Sequence, residues 1–295
     1  MKFSTIVLAA AVGVSAHPSA HGHRQAHRSV EARAEKFVMN KKPAPPPAPT
    51  PKEEPKPVAT PSPAPAPAPA KPSPVAQAAA AVGNAVGTGL SSYAPFCGGQ
   101  KRATVAQIGY KGNTGINNNA CNVMAIKSNI ADKYKYVLEF NNKGADSTCA
   151  CWNKIGHNGG INGFFKGNEA LTFSIASGST QFIAVDANSQ GACGCSIGGS
   201  VGLTSFGQFA GTWAEFDFEN QSNNGWSGAD ISCLVAAKYG LAIPAMKVCA
   251  TSGGPCSTIF AGGAGDNAYT GGTEDLDGVG LNLAPGPVHL KVTLN

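Results

Sequence analysis

Short runs in which apolar and polar side chains alternate dominate the chain from about residue 103 onward. Val105–Tyr110, Tyr136–Phe140, Leu171–Ile175, Gln181–Val185, Trp213–Phe218, Met246–Val248 and Val288–Leu294 each read as a strand. Gly, Asn and Ser cluster between them, with turn signals at Asn158-Gly159 and across Gly160–Gly163. The one helix-like stretch, Ile231–Tyr239, is short. This rhythm predicts an all-β domain over residues 97–295, a β-sandwich with loop excursions and no internal repeat.

The run Gly211–Phe218 is the most sharply two-faced of these strands. Ala214, Phe216 and Phe218 fall on one side, apolar enough to pack on a core. Trp213, Glu215, Asp217 and, continuing the period, Glu219 fall on the other. Several carboxylates pointing one way need water, a cation or a polar ligand in front of them, because like charges raise one another's pKa. A solvated outer face is the plainer alternative. Asp230, in Gly228-Ala-Asp-Ile231, follows close behind.

Upstream the pattern vanishes. Residues 1–16 have a basic second residue, a short apolar run and a small-x-small end, the signature of a secretory signal peptide cut after Ala16. The apolar run is too short to span a membrane, and no later stretch is long enough. Lys291–Asn295 ends like a strand rather than a lipid-anchor tail. The expected location is extracellular, in the wall or beyond it. Residues 17–42 form a basic leader holding His17, His21, His23 and His27. Copper held by an N-terminal His17 would need a rigid second histidine, with only His157 and His289 available, so a flexible leader is the better reading. Residues 43–96 are rich in Pro and Ala and predict a disordered, extended arm suited to O-glycosylation. Lys101-Arg102 is a dibasic pair, open to processing or an ordinary basic turn.

Charge divides at the same place. Up to Arg102 there are 12 basic and 4 acidic residues; beyond it, 10 lysines, no arginine and 13 acidic residues. The basic pI therefore belongs to the arm. A slightly negative domain without arginine is a poor match for nucleic acid, which wants basic patches. No membrane partner and no cofactor are expected, whereas neutral polymers such as polysaccharides stay open.

Nine cysteines, at 97, 121, 149, 151, 193, 195, 233, 249 and 256, should be mostly oxidised in an exported chain. Cys249 and Cys256 bracket a turn sequence, and a bridge there contributes roughly 2.5 kcal/mol by chain entropy. The Cys-x-Cys pairs 149/151 and 193/195 could ligate metal, but zinc sites space ligands by two to four residues, so disulfides are favoured and no metal is expected. Removal of Cys97 by cleavage after Arg102 would leave an even eight. Asn220-Gln-Ser222 is an N-glycosylation sequon.

Many short motifs occur in one order: Cys-Trp-Asn-Lys-Ile-Gly at 151–156, Phe-Lys-Gly-Asn at 165–168, Ala-Leu-Thr at 170–172, Ala-Val-Asp at 184–186 with Asn-Ser-Gln-Gly-Ala at 188–192, Glu-Phe-Asp-Phe at 215–218, Asn-Gly-Trp-Ser-Gly at 224–228, Met-Lys-Val-Cys at 246–249 and Pro-Gly-Pro at 285–287. From about Cys97 to the C-terminus the chain resembles the secreted fungal allergen family named after the fourth Aspergillus allergen. Cys121, Cys149, Cys151, Cys193, Cys195 and Cys233 look like departures from it, toward a more heavily bridged branch. A local stretch, Ala-Glu-Phe at 214–216, Asp-Ile-Ser at 230–232 and Ile-Pro-x-Met at 243–246, is similar to thaumatin-like proteins. That likeness implies a disulfide-rich β-sandwich whose acidic cleft faces β-1,3-glucan, with Glu215 and Asp230 at the cleft. The arginine of that cleft has no counterpart here.

Glycosidic hydrolysis needs a proton donor and a second carboxylate about 5 Å away for retention, or about 6.5–9.5 Å for inversion. Glu215 and Asp230 are the candidate catalytic pair, and Asp217 is a further candidate as pair partner or sugar ligand. Trp226, in an Asn/Gly-rich loop, and Trp152, beside two cysteines, are candidate sugar-stacking rings, though Trp152 also suits packing on a disulfide. Three functions follow: non-catalytic binding of wall β-glucan or a related polysaccharide, weak β-1,3-glucan hydrolysis or transglycosylation, and action on a host protein as a secreted effector.

Overall fold

The computed structural model describes residues 89–100, 112–276 and 278–295. The expected signal peptide, the leader at 17–42, most of the arm, the pair Lys101-Arg102 and the strand Val105–Tyr110 lie outside the described residues. In chain order the strands are β1 (Val123–Ile126), β2 (Tyr136–Asn142), β3 (Ser147–Asn153), β4 (Glu169–Ile175), β5 (Thr180–Val185), β6 (Ser189–Ile197), β7 (Thr212–Asn220) and β8 (Trp226–Ser232). A short helix α1 (Leu234–Lys238) precedes β9 (Met246–Ala250), β10 (Cys256–Ile259), β11 (Gly265–Asp266), β12 (Leu281–Leu283) and β13 (Val288–Leu294). The expected helix thus shrinks to five residues, because Ile231 and Ser232 finish β8.

Two sheets face each other. One has the order β1-β5-β2-β13-β9-β10-β11 and the other β12-β8-β7-β6-β3-β4. All pairings are antiparallel except β2 with β13. Alternation decides what each strand buries. Val288, Leu290, Val292 and Leu294 of β13 join Tyr136, Leu138 and Phe140 of β2 against Ala214, Phe216 and Phe218 of β7 in the core between the sheets. The all-β, disulfide-rich sandwich expected from the sequence is the fold observed.

Strands β3 and β6 carry little of the usual strand composition, and bridges take its place. Cys149 lies opposite Cys195, and Cys151 opposite Cys193. Each pair is disulfide-bonded, with Cα–Cα distances of 4.1 and 4.0 Å, as expected for facing residues that share no ladder hydrogen bond. All four sulfurs belong to the inter-sheet core. On the opposite face of the six-stranded sheet, Ala150, Trp152, Ala192 and Trp213 form a second apolar layer. Phe164, Val201, Phe209, Ala210 and Val235, from two loops and α1, cover it. Gly194 makes this possible: a Cβ there would sit 2.7 Å from the Trp152 ring and 3.1 Å from Trp213.

Two more bridges complete the frame. Cys249–Cys256 closes the β9–β10 hairpin as expected, and Cys97–Cys121 ties the first described segment to the fold. The unpaired thiol is therefore Cys233, not Cys97; it is buried at the end of β8, where burial raises its pKa. The Cys-x-Cys pairs bridge strands rather than hold metal. Leu90 pairs with β1: its N–H donates to the Ala125 carbonyl (3.0 Å), and its own carbonyl accepts from Lys127 (2.9 Å). Folded structure thus reaches back to Gly89, N-terminal to the boundary at 97 that composition suggested.

Candidate functional site

The outward face of β7 and β8 gathers the acidic residues. Register places Glu215 directly opposite Asp230, and Asp217 opposite Gly228. Residues so placed hold their Cβ atoms about 4.5–5.5 Å apart, so Glu215 and Asp230 stand side by side. Trp226, Gly228 and Asp230 share one face of β8 by alternation, so Trp226 lies at the margin of the same surface.

Burial separates these residues. Asp230 is 1% exposed and Glu215 9%, whereas Asp217 and Trp226 are half-buried. The segment entering β12 closes over Asp230: a Cβ at Gly280 would lie 2.7 Å from the Asp230 Cβ. A polymeric sugar cannot touch Asp230 in this conformation. That argues against the Glu215–Asp230 pair as a hydrolytic site as it stands.

Lys154 is a cation on which these carboxylates act. Its backbone N–H donates to the Gln190 carbonyl (2.8 Å), and Gln190 faces Asp217 across β6 and β7. Burial lowers the Lys154 pKa from its usual value, and the Asp217 and Glu215 carboxylates act in the opposite direction. The sequence reading passed over Lys154, because it sits in the loop after β3 and reaches the carboxylates only through strand order.

Glu219 departs from its expected face. The β7–β8 register shifts between Asp217 and Asn220, and Glu219 adopts φ 49°. This bulge turns Glu219 toward the other sheet, where it accepts hydrogen bonds from the Tyr136 hydroxyl and from Lys135 Nζ (2.7 Å). Burial, then the Glu219 carboxylate, push the Tyr136 phenol far above its usual pKa. Asn220 is engaged as well: Nδ2 donates to Asp217 Oδ2 (2.6 Å) and Oδ1 accepts from Ser222 N–H (2.9 Å). A glycan on Asn220 Nδ2 would compete with the Asp217 bond.

Trp152 is not a sugar platform. It is 2% exposed, stacks on Phe209 at 4.9 Å and meets Trp213 edge-on at 5.0 Å. A buried aromatic stack takes its place as the function of that residue. Trp213 is buried likewise. Two further features are defined among the described residues: no helix is long and apolar enough to cross a membrane, and no group of His, Cys, Asp and Glu side chains is placed to hold a metal ion.

Residues 121–294 match the Allergen Asp f 4-like domain. Over 200 residues the chain is 38% identical to Allergen Asp f 4 of Aspergillus fumigatus, an alignment taking in 67% of this chain. The chain spans 62% of that relative's length. Among solved structures it is similar to a protein elicitor from Magnaporthe oryzae, at 13% identity and a TM-score of 0.35, over 54% of this chain and 98% of that one. It is also similar to a thaumatin-like xylanase inhibitor, at 11% identity and a TM-score of 0.32, over 53% and 97%.

Proposed function

We propose that this chain, which belongs to the Allergen Asp f 4-like domain family, is an exported wall or matrix protein that binds β-glucan or a related neutral polysaccharide without cleaving it. One observation carries this reading: on the outward face of β7 and β8, Trp226 stays partly exposed at the margin while Glu215 and Asp230 are covered. A partly exposed indole offers a flat face for the C–H surface of a pyranose; such sites combine apolar area with a few polar groups. Export is supported by the signal-type N-terminus and by four disulfides, which persist in oxidising compartments.

Slow hydrolysis or transglycosylation by Glu215 and Asp230 is the second reading, favoured by their direct cross-strand pairing. It requires the Gly280 segment to open. Incubation with laminarin separates the two: retention without new reducing ends supports binding alone, and any activity that Glu215→Gln leaves intact removes the hydrolase. Trp226→Ala, with unchanged circular dichroism, should weaken retention. If glucan, chitin and cellulose all fail to retain the protein, the binding proposal is withdrawn and the host-protein reading takes its place.

A further inference from the structure

The layer that covers the six-stranded sheet contains a buried side chain whose polar atoms pair with nothing. Gln208 is 0% exposed, and neither its Oε1 nor its Nε2 has a hydrogen-bond partner. Its main chain is satisfied at close range: the N–H donates to Thr204 Oγ1 (3.0 Å), and the carbonyl accepts from Thr204 N–H (2.9 Å). Gly207 N–H donates to the Thr204 carbonyl (3.0 Å), and Ala210 N–H to the Gly202 carbonyl (2.8 Å). Residues 202–210 are thus bonded largely to themselves and can move as one piece. Under them Phe209 stacks on Trp152 at 4.9 Å, and the buried Trp213 Nε1 also has no acceptor.

Buried polar groups are nearly always paired, so an orphaned carboxamide calls for a physical account. Each unpaired buried donor or acceptor weights the equilibrium by about tenfold against the state that buries it. Gln208 Oε1, Gln208 Nε2 and Trp213 Nε1 therefore all favour a state that returns them to water. Burial of Val201, Phe209 and Ala210 opposes that state. The ends of the segment suit a hinge. Gly198 (φ 98°) and Gly211 (φ 87°) flank it between β6 and β7, in the left-handed region that glycine enters and leaves at little cost. Gly202 N–H bonds Ser196 Oγ (3.0 Å) near the first hinge. The far side is held by another loop: Phe209 N–H donates to the Phe164 carbonyl, and Lys166 N–H to the Gly207 carbonyl, both at 2.9 Å.

We propose that residues 198–211 form a lid that opens over Trp152 and Trp213 while both sheets stay folded, and that the unpaired Gln208 carboxamide sets how often it opens. The closed lid seals the two indoles beneath Phe209, Val201 and Ala210. The open lid hydrates Gln208 and the Trp213 N–H and presents both indoles to solvent. This device is independent of the polysaccharide reading above.

Native-state hydrogen exchange of the full chain tests it, comparing wild type, Tyr136→Phe and Gln208→Met. The amides of Phe209 and Ala210 report the lid, and those of β7 report global unfolding. In wild type the lid amides should exchange at least about 100-fold faster than those of β7, with little dependence on added urea. Tyr136→Phe weakens the contact between the sheets, so it should speed β7 exchange and leave the lid amides within about twofold. Gln208→Met removes both orphaned atoms at similar volume and should slow the lid amides about tenfold. Lid amides that match β7 in wild type and accelerate with it in Tyr136→Phe overturn the proposal, because the segment then opens only when the whole domain unfolds. Lid exchange that is unchanged or faster in Gln208→Met also overturns it, by removing Gln208 as the cause. If Gln208→Met does not fold, the comparison of wild type with Tyr136→Phe decides alone.

Discussion

The two bridges between β3 and β6 should stabilise the fold through each other, and the size of that coupling follows from their nesting. Cys151–Cys193 lies inside Cys149–Cys195, with sequence separations of 42 and 46. Either bridge alone closes a long loop in the unfolded chain, worth about 4 kcal/mol by loop entropy. Once one is closed, the other constrains only about six further residues, worth about 2 kcal/mol by the same relation. Losing one bridge should therefore cost about 2 kcal/mol, and losing both about 6, a coupling of about 2 kcal/mol. Cavities left by Cys→Ala contribute to single and combined losses alike and largely cancel from the cycle. The proteins to compare are the wild type, Cys149→Ala/Cys195→Ala, Cys151→Ala/Cys193→Ala and the quadruple variant. Urea unfolding followed by tryptophan emission reads the event, since Trp152 and Trp213 pack on the other face of these strands. Sulfate added equally to all four keeps the weakest folded. If the quadruple loss equals the sum of the two separate losses to within about 0.5 kcal/mol, the entropic argument is refuted and the bridges act through native packing.

Removing the Tyr136 hydroxyl in Tyr136→Phe takes one donor from Glu219, and urea unfolding should show a loss of about 1.5–3 kcal/mol; a loss under about 0.5 contradicts the inter-sheet role of that bond. Burial lowers the folded Lys154 pKa below 10.5, so near that range the unfolded chain holds a proton that the folded chain has released. The stability of wild type relative to Lys154→Met should be level at neutral pH and rise between the lowered pKa and 10.5, read from urea midpoints; a difference that falls over that window reverses the assigned direction. Gly194→Ala drives a methyl into Trp152 and Trp213 and should cost about 1–3 kcal/mol with altered tryptophan emission; an unchanged midpoint would mean the pair gives way freely.

Much of the sandwich was legible because β13 alternates strictly and β2 and β5 are short runs rich in β-branched and aromatic residues, and each was found within two residues of its expected bounds. Strands β3 and β6 were not legible. Their inward positions are half-cystines, whose apolar character depends on pairing, and their outward positions are Ala and Gly that make room for tryptophans. The acidic face of β7 followed from period two as far as Asp217. It failed at Glu219, because a bulge changes the phase of the strand without a Gly or Pro to mark it. Lys154 and the aromatic residues Phe165 and Phe206 come from loops that only the tertiary fold brings into place. The available signal was large apolar residues stranded in Gly- and Ser-rich loops, such as Phe164-Phe165 and Phe206, where a turn alone would not need them.

Retention of the full chain by laminarin, with reducing ends counted in the same sample, tests the central claim most directly. The account predicts slowed migration in laminarin, a weaker effect in Trp226→Ala, and no rise in reducing ends over the protein-free control. Reducing ends that accumulate with time and vanish in Glu215→Gln, or migration indifferent to every glucan, would contradict it.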